Sequence, residues 1–302
     1  MKPGKVWLIG AGPGDVELLT LKAVRALGEA DVVLLDGLVN REVLQFAKPD
    51  VRVIEVGKRG GCRSTPQAFI ERLMLKLARE GSTVARVKGG DPYVFGRGGE
   101  EIASLMSAGI TVEVVSGITA GVAVPATLGI PVTHREHCHG VTYITGATRD
   151  GGEPNWHALA ASGTTLVIYM GIKNLPRIVE GLRAEGMRAD MPVAVVQNGT
   201  LVTQRQVVSH LRNVVADVEH ARIKSPAIIV IGEVVRYAST VGCALRTEQT
   251  QQSGAPSPIP APSPAWRGKR SICLPSPARG RGVGGEDCAP YPGQGNAIRK
   301  QA

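Results

Sequence analysis

A glycine-rich segment at residues 88–101, KGGDPYVFGRGGEE, contains residue types that could surround a small ligand. It follows the apolar run 83–87 and precedes an amphipathic stretch, so we expect a loop between a strand and a helix. Its five glycines allow a close approach to a ligand or to another backbone, because glycine has no Cβ. Pro92 disfavours the α conformation for Asp91 and so sets the direction of the turn. Taken alone, the segment fits both a ligand loop and a tight structural turn.

The first glycine loop along the chain, GAGPGD at residues 10–15, closes the first predicted strand and favours the ligand interpretation of the second, residues 88–101. Its spacing resembles a dinucleotide fingerprint, since Asp36 lies at a strand end about 20 residues further on. However, Asp15 stands where the third glycine is required, and its carboxylate would repel a pyrophosphate. Pro13 also lacks an amide hydrogen that the anion would need. The loop therefore suits a ligand without phosphates.

Four motifs carry a resemblance to a known family. They are GAGPGDVELLTLKA (10–23), KGGDPYVFGRGGEE (88–101), SGITAG (116–121) and GIPVTHR (129–135). GPGD with GDP is typical of the tetrapyrrole methylase superfamily, which includes precorrin methylases and diphthine synthase. FGRGGEE together with GIPVTHR resembles the uroporphyrinogen-III C-methyltransferase family, and the likeness extends over residues 5–238.

The resemblance implies a class III methyltransferase fold, in which S-adenosylmethionine binds in the cleft between two α/β domains and leaves as S-adenosylhomocysteine. Glycines in the motifs would permit backbone contact with the cofactor, and Asp91 would place negative charge near its sulfonium. The residues that match the family's cofactor contacts are Pro13, Gly89, Gly90, Asp91, Val94, Thr119, Ala120, Met170 and Gly199.

The resemblance also implies a reaction, in which uroporphyrinogen III is methylated on carbon twice to give precorrin-1 and then precorrin-2, on the way to siroheme and cobalamin. Asp36 matches the family's proposed proton acceptor and Lys58 its proposed donor. Asp36 accepting loop amides and Lys58 binding a substrate carboxylate remain alternatives. Leu35 and Gly37 depart from the family's usual neighbours of this aspartate. A methylase of a later precorrin and a module that senses a ligand without turnover remain alternative functions.

Cationic side chains on the motif loops could bind the substrate's eight carboxylates, because guanidinium groups can hold a carboxylate bidentately. The candidates are Arg59, Arg63, Arg97 and Arg135.

A possible metal site is suggested by four residues of one segment, His134, His137, Cys138 and His139. Their spacing is not a helical i, i+4 pair, and methyl transfer from a sulfonium requires no metal, so we expect no metal site.

Alternating strand and helix patterns organise the chain. Short β-branched runs predict strands buried on both faces at residues 5–10, 32–36, 51–56, 83–87 and 111–115. Helical spacing after Asp15 and after Thr65, with Pro66 at the first helical position, predicts a mainly parallel sheet with helices on both sides. The pattern begins again at 141–145, 165–170, 192–197, 204–209 and 226–235, with helices near 175–185 and 210–222. We therefore predict α/β domains at 1–130 and 131–240.

Composition limits the remaining possibilities. The chain has 302 residues, a net charge of +9 and five cysteines without CxxC spacing, so neither a disulfide framework nor a zinc ribbon is indicated. Over half of the charge, +5, lies beyond Ala244 in a segment rich in proline, glycine, serine and arginine. We predict that residues 244–302 are disordered. We expect a cytoplasmic protein that binds neither nucleic acid nor membranes, and the resemblance implies a homodimer.

Overall fold

The structure is a computed structural model that describes residues 4–57, 65–147 and 152–238. Lys58, Arg59, Arg63 and the predicted disordered tail lie outside these ranges. Among the helices within the described ranges, none has the length and apolar character needed to cross a membrane.

Five parallel strands form the first sheet, in the order β3-β2-β4-β1-β5. They are β1 (Lys5–Gly10), β2 (Val32–Leu35), β3 (Arg52–Glu55), β4 (Val84–Lys88) and β5 (Thr111–Val115). Each lies within a residue of its predicted bounds. The prediction that all five are buried on both faces is wrong for β3 and β5, because they are the edge strands and stay partly exposed.

Helices cover both faces of this sheet. On β1, Trp7 and Ile9 pack with α1 (Leu21–Glu29), while Val6 packs with α2 (Gln67–Arg79) and α3 (Gly98–Ser107). The predicted helical spacing from Leu18 resolves into a short 3-10 helix, Val16–Leu18, followed by α1. The helix α1 begins after Thr20, whose hydroxyl accepts a hydrogen bond from Ala23 N and caps it.

A second five-stranded sheet follows, in the order β6-β7-β10-β8-β9. Its strands are β6 (Val141–Thr145), β7 (Thr165–Tyr169), β8 (Pro192–Gln197), β9 (Arg205–His210) and β10 (Ala227–Ile231). Only β6 and β7 run parallel, and the other three pairs are antiparallel. The sequence pattern of the second half resembles that of the first and did not indicate antiparallel strands. They arise because a seven-residue turn, rather than a helix, joins β8 to β9 and reverses the direction of the chain.

Apolar residues on the two faces of the second sheet form separate cores. One packs with α5 (Trp156–Ala161), α6 (Leu175–Ala184) and α7 (Val214–His220). The other packs with the 3-10 helix Glu233–Tyr237 and with α4 (Ala120–Ala126), through Val124. The helix α4 precedes the predicted boundary at residue 130, yet it covers the second sheet. The domain bounds themselves remain predictions.

Candidate active site

The two glycine loops lie side by side at the carboxyl end of the first sheet. Ala11 N donates to Lys88 O at 2.8 Å. Gly12 and Gly90 exchange backbone hydrogen bonds of 3.2 and 2.7 Å, which form a small antiparallel bridge. The loop after β1 is thus fixed to the loop after β4, at the edge where a parallel sheet forms its ligand crevice.

Gly117, in the loop after β5, brings a third backbone to the same point. A Cβ on Gly117 would lie only 2.2 Å from Gly90 O and 2.7 Å from Gly10 C. Such distances exclude any side chain at this position, because a real Cβ essentially never comes within 3.0 Å of another heavy atom. The glycines at positions 10, 90 and 117 therefore bring backbone against backbone.

Asp91 joins the loops after β4 and β5. Its Oδ1 accepts a hydrogen bond from Tyr93 N at 2.8 Å, and its Oδ2 accepts one from Gly117 N at 3.1 Å. Val94 N also donates to Asp91 O, at 3.3 Å. The carboxylate therefore holds the local backbone, and it brings negative charge to the loop where the sequence predicts a sulfonium contact.

Tyr169, the last residue of β7, connects the second sheet with the first half of the chain. Its hydroxyl lies 2.6 Å from Thr119 Oγ1 and accepts a hydrogen bond from Gly121 N at 2.7 Å. The ring packs on Phe95, with 4.9 Å between ring centroids. Burial raises the pKa of Tyr169, and the negative charge of Asp91 raises it further, while the hydrogen bonds with Thr119 and Gly121 oppose the shift. The hydroxyl is therefore a neutral link between the two sheets.

Unusual backbone angles occur where β7 and β8 end. Met170, which is 52% exposed, has a left-handed backbone with φ 54°. Asn198 and Thr200 have φ 50° and 70° on either side of Gly199. A Cβ on Gly199 would lie 2.4 Å from Val124, so this strand end is held against α4. Left-handed conformations at non-glycine residues cost free energy and concentrate at functional sites.

A direct contact joins the first glycine loop to the turn after β8. Asp15 N donates a 3.1 Å hydrogen bond to Thr200 Oγ1, and a Cβ on Gly14 would lie 2.9 Å from the Leu201 side chain. Asp15 Oδ1 accepts from Glu17 N at 2.9 Å, so the carboxylate caps the following 3-10 helix. The contact brings Gly14 and Asp15, which follow Pro13 in sequence, against the turn after β8.

Asp36 lies directly after β2, as predicted, and is held by its neighbours on β4. Asp36 N donates to Val87 O at 3.1 Å, and Arg86 Nη2 donates to Asp36 Oδ2 at 2.9 Å. Arg86 is buried, whereas the Asp36 side chain remains 32% exposed. Asp36 therefore has a fixed orientation and a surface that a ligand in the crevice can reach.

Glu101 on α3 anchors a buried charge network behind Asp36. Its Oε1 accepts hydrogen bonds from Arg86 Nε at 3.2 Å, Lys88 Nζ at 3.3 Å and Gln67 Nε2 at 3.0 Å. Burial lowers the pKa of Lys88, as does the neighbouring charge of Arg86, while Glu101 and Asp36 counteract this. The network joins two cations and two anions.

The predicted carboxylate-binding arginines are only partly described. Arg97 has φ 57° before the first turn of α3, and its guanidinium donates to Glu100 from Nε at 2.9 Å. This hydrogen bond to the Glu100 carboxylate raises the pKa of Arg97. Arg135 is exposed in the connector between α4 and β6. Lys58, Arg59 and Arg63 lie outside the described residues.

The histidines of the connector do not all lie together. His134 and His137 stack with 4.7 Å between ring centroids, and their Nε2 atoms lie 3.2 and 3.0 Å from the Tyr237 hydroxyl. His134 Nδ1 accepts from Glu136 N at 3.2 Å, while His139 N donates to Gly163 O. Ligand atoms of His134, Glu136 and His137 nevertheless lie within 4.8 Å of one another, so the absence of a metal site remains a prediction.

Comparison with known proteins decides the family. The model described as "Tetrapyrrole (Corrin/Porphyrin) Methylases" matches residues 5–215. The chain belongs to the tetrapyrrole methylases.

The following relatives in this family match the chain over nearly their whole lengths. The uroporphyrinogen-III C-methyltransferase of Pseudomonas aeruginosa is 56% identical over 233 residues, which cover 77% of this chain and 95% of that protein. A structure of the Thermus thermophilus uroporphyrin-III C-methyl transferase complexed with S-adenyl homocysteine is 41% identical, with a TM-score of 0.67, and covers 77% of this chain and 94% of that one. Cobalt precorrin-4 methyltransferase, a cobalamin biosynthetic enzyme, is 27% identical, with a TM-score of 0.69, over 76% of this chain and 95% of that one.

In this tetrapyrrole methylase, the predicted cofactor residues come from both sheets. A Cβ on Gly90 would lie 3.8 Å from Thr119 Cα and Ala120 N, and one on Gly89 would lie 3.6 Å from Leu38. Met170 and Gly199 extend from the ends of β7 and β8. The mixed α/β fold with two sheets is thus confirmed, whereas the roles of single residues remain predictions.

Sequence reasoning about the tetrapyrrole methylase missed five residues at this site: Arg86, Lys88, Glu101, Tyr169 and Thr200. A signal existed for the first two, since Arg86 and Lys88 interrupt an apolar strand that both sheet neighbours bury. Their partner Glu101 stands inside the quoted motif FGRGGEE, but nothing in the motif distinguishes it from the exposed Glu100.

Proposed function

We propose that this chain is a uroporphyrinogen-III C-methyltransferase, which transfers methyl groups from S-adenosylmethionine to two ring carbons and yields precorrin-1 and then precorrin-2. One observation carries the proposal above all. The loops after β1, β4 and β5 contact one another, and hydrogen bonds join them to the ends of β7 and β8, in a chain whose named relatives carry this activity. The product would enter siroheme or cobalamin synthesis.

The crevice residues fit S-adenosylmethionine. Gly90 has φ 66° and no heavy atom within 3.8 Å of the position that a Cβ would occupy, so its backbone can contact a ligand beside Ala120. Met170 presents an exposed thioether at the opposite strand end. The charge of Asp91 favours a cation in the crevice. When bound, the cofactor supplies a methyl group activated by its positive sulfur.

Asp36 is the proposed proton acceptor. Methylation of a substituted pyrrole carbon leaves a positive charge on the ring, which is neutralised when a proton leaves from another position of the macrocycle, and a carboxylate within reach can take that proton. The hydrogen bond from Arg86 occupies one side of the carboxylate and leaves its exposed part available. Lys58, in a segment outside the described residues, is the proposed proton donor.

Exposed cations would bind the acetate and propionate groups of the macrocycle. Arg97 leads into α3 from the second glycine loop, and Arg135 follows the connector motif. We propose that both contact substrate carboxylates, together with Arg59 and Arg63. Displacement of Glu100 by a substrate carboxylate would free the Arg97 guanidinium for bidentate binding.

We further propose a cytoplasmic homodimer. Several large apolar side chains are exposed in the described chain, among them Leu21 at 87% and Met106 at 65%. The family resemblance implies the dimer, and exposed apolar side chains of this size can contribute to its interface. Light scattering over a range of protein concentrations tests the proposal, and a mass of one chain at all concentrations would contradict it.

Incubation with uroporphyrinogen III and labelled S-adenosylmethionine, followed by mass analysis, tests the activity. We expect products heavier by one and then two methyl groups, with matching S-adenosylhomocysteine. A protein that only senses its ligand would bind S-adenosylmethionine and form no S-adenosylhomocysteine.

Methylation of a later precorrin is the second candidate function. The fold supports it equally, because the TM-scores to the two types of methylase are nearly the same, whereas sequence identity favours uroporphyrinogen III. Parallel incubations with precorrin-2 and precorrin-3 as acceptors distinguish the two functions. Methylation of these acceptors alone would replace our proposal.

A further inference from the structure

We propose that Glu101 is a positioning residue, which fixes Arg86 so that Arg86 in turn holds Asp36 in the orientation that accepts a proton. The inference rests on the proposed function of Asp36. It assigns a role in the reaction to a side chain that is fully buried and cannot touch the substrate.

The strand register brings the three residues together. Leu35 pairs with Val87 between β2 and β4, so Asp36 stands beside Lys88 at the strand ends. Arg86 lies two residues earlier on the same face of β4, because side chains alternate along a strand. The first turn of α3 then places Glu101 against both cations.

Arg86 has two anchors that do not depend on Asp36. Its Nε donates to Glu101 at 3.2 Å, and its Nη1 donates to Val87 O at 3.3 Å. When Asp36 takes up a proton, its attraction to the guanidinium weakens. Glu101 keeps Arg86 in place through that change, so the carboxylate finds the same partner before the second methyl transfer.

Stability alone gives little reason for this arrangement. Glu101 is fully buried, and its Oε2 has no hydrogen-bond partner among the described residues. Desolvation of buried ion pairs generally offsets their attraction, and apolar side chains of similar volume are often as stabilising. The network lies directly behind the partly exposed Asp36 carboxylate. A role in orienting that carboxylate therefore explains the buried charges better than stability does.

Charge balance explains why the carboxylate at position 101 matters. Glu101 and Asp36 together neutralise Arg86 and Lys88. With a neutral residue at position 101, the two cations would repel each other and Lys88 would compete with Arg86 for Asp36. Asp36 would then lose its single orientation, although no group that contacts the cofactor or substrate has changed.

Steady-state kinetics of Glu101→Gln test the inference. We expect kcat to fall about 10- to 100-fold while KM for both substrates stays within about twofold, because only the orientation of the base is lost. Glu80→Gln, which removes an exposed carboxylate paired with Lys76, is the matched control and should leave kcat unchanged. An equal kcat for Glu101→Gln and wild type would overturn the inference.

A double-mutant cycle separates positioning from a structural effect. If Glu101 acts through Asp36, Glu101→Gln causes no further loss of kcat in an Asp36→Asn background. A further loss as large as in the wild type would overturn the inference. Arg86→Lys is the second variant should Glu101→Gln fail to fold. It keeps the charge but lacks the separate Nε and Nη2 donors that reach Glu101 and Asp36, and it should lower kcat with little change in KM.

A substrate-free measurement distinguishes failure of this inference from failure of the proposed function. The Arg86 Nε–H signal in nuclear magnetic resonance spectra should be protected from solvent exchange in wild type and in Asp36→Asn, and should lose part of that protection in Glu101→Gln, because an amide oxygen is a weaker acceptor than a carboxylate. Protection that disappears in Asp36→Asn and persists in Glu101→Gln would overturn the order of anchoring. Lack of methyl transfer to uroporphyrinogen III by wild type would instead contradict the proposed function alone.

Discussion

Asp15 N donates a 3.1 Å hydrogen bond to the hydroxyl of Thr200, although 185 positions separate the two residues in sequence. The bond joins the first glycine loop to the turn after β8, on opposite sides of the crevice. Both partners are polar backbone or short side-chain groups, so the contact can break and re-form without repacking a core.

Thr200→Val should weaken ligand binding. The variant keeps the shape of the side chain and removes the acceptor for Asp15 N, which costs about 1 kcal/mol and loosens one rim of the crevice. We expect a several-fold rise in Kd for S-adenosylhomocysteine by calorimetry. Thr203→Val on the same turn, whose hydroxyl accepts from Asn198 at 3.2 Å, is the control. Equal affinities of both variants would remove this contact from the site.

Tyr169→Phe should lower both stability and cofactor affinity. It leaves Gly121 N without its partner at the half-buried start of α4, at a cost of about 1–3 kcal/mol. Urea unfolding and S-adenosylhomocysteine binding measure the two effects. Tyr143→Phe, which removes the hydroxyl from the ring that packs edge-on against Tyr169, should change both less. A Tyr169→Phe variant as stable as wild type would show that solvent replaces the lost link.

Two glycine substitutions should have opposite effects. Gly117→Ala forces a methyl group to within 2.2 Å of Gly90 O and must displace the second glycine loop. Gly99→Ala in α3 meets no atom within 4 Å and should stabilise the helix by about 0.5–1 kcal/mol. Thermal unfolding compares them. A folded Gly117→Ala protein with full activity would mean that the three backbones need not touch.

Lys88 should make stability depend on alkaline pH. Its pKa is lowered from 10.5 in the folded protein, so between the lowered value and 10.5 the unfolded chain binds more protons. Raising the pH through that window therefore favours the folded state relative to a chain without this lysine. We expect the stability of wild type to rise against that of Lys88→Met as pH approaches 10.5. Lys76→Met, at an exposed lysine, should give a curve parallel to wild type.

Asp36→Asn should strongly reduce the rate of methyl transfer and spare cofactor binding. Loss of a general base costs about 10²–10⁴-fold in rate, whereas none of the cofactor contacts proposed here involves this carboxylate. Turnover of uroporphyrinogen III and calorimetry with S-adenosylhomocysteine measure the two effects separately. Asp50→Asn, at an exposed position, is the control. An undiminished rate would exclude Asp36 from the mechanism.

The elements were more predictable than their arrangement. Runs such as VWLIG in β1 predict strands because β-branched and apolar residues suit a buried sheet, and all ten strands begin within one residue of prediction. The direction of β8, β9 and β10 depends on long-range pairing, which local patterns do not encode. The motif loops located Asp36 and Asp91 at strand ends, since chemistry and turn signals coincide there.

The buried network was harder to predict. Arg86 and Lys88 form the network by donating to Glu101, which lies 13 or more positions away in sequence. Only the packing of α3 on β4 brings these residues together. Tyr169 likewise ends a strand as an ordinary aromatic residue would. Its importance follows from Thr119 and Gly121, which lie in another motif.

The packing of α4 on the second sheet limits how the chain can be divided. A fragment that stops at residue 130 would carry Val124, Leu128 and Ile130 without the strands that shield them, and its complement would lack one wall of its core. Cutting there should give two aggregating pieces, whereas a cut before residue 117 assigns the helix to the piece that it stabilises. Reconstitution from two expressed fragments should therefore succeed only with the earlier break.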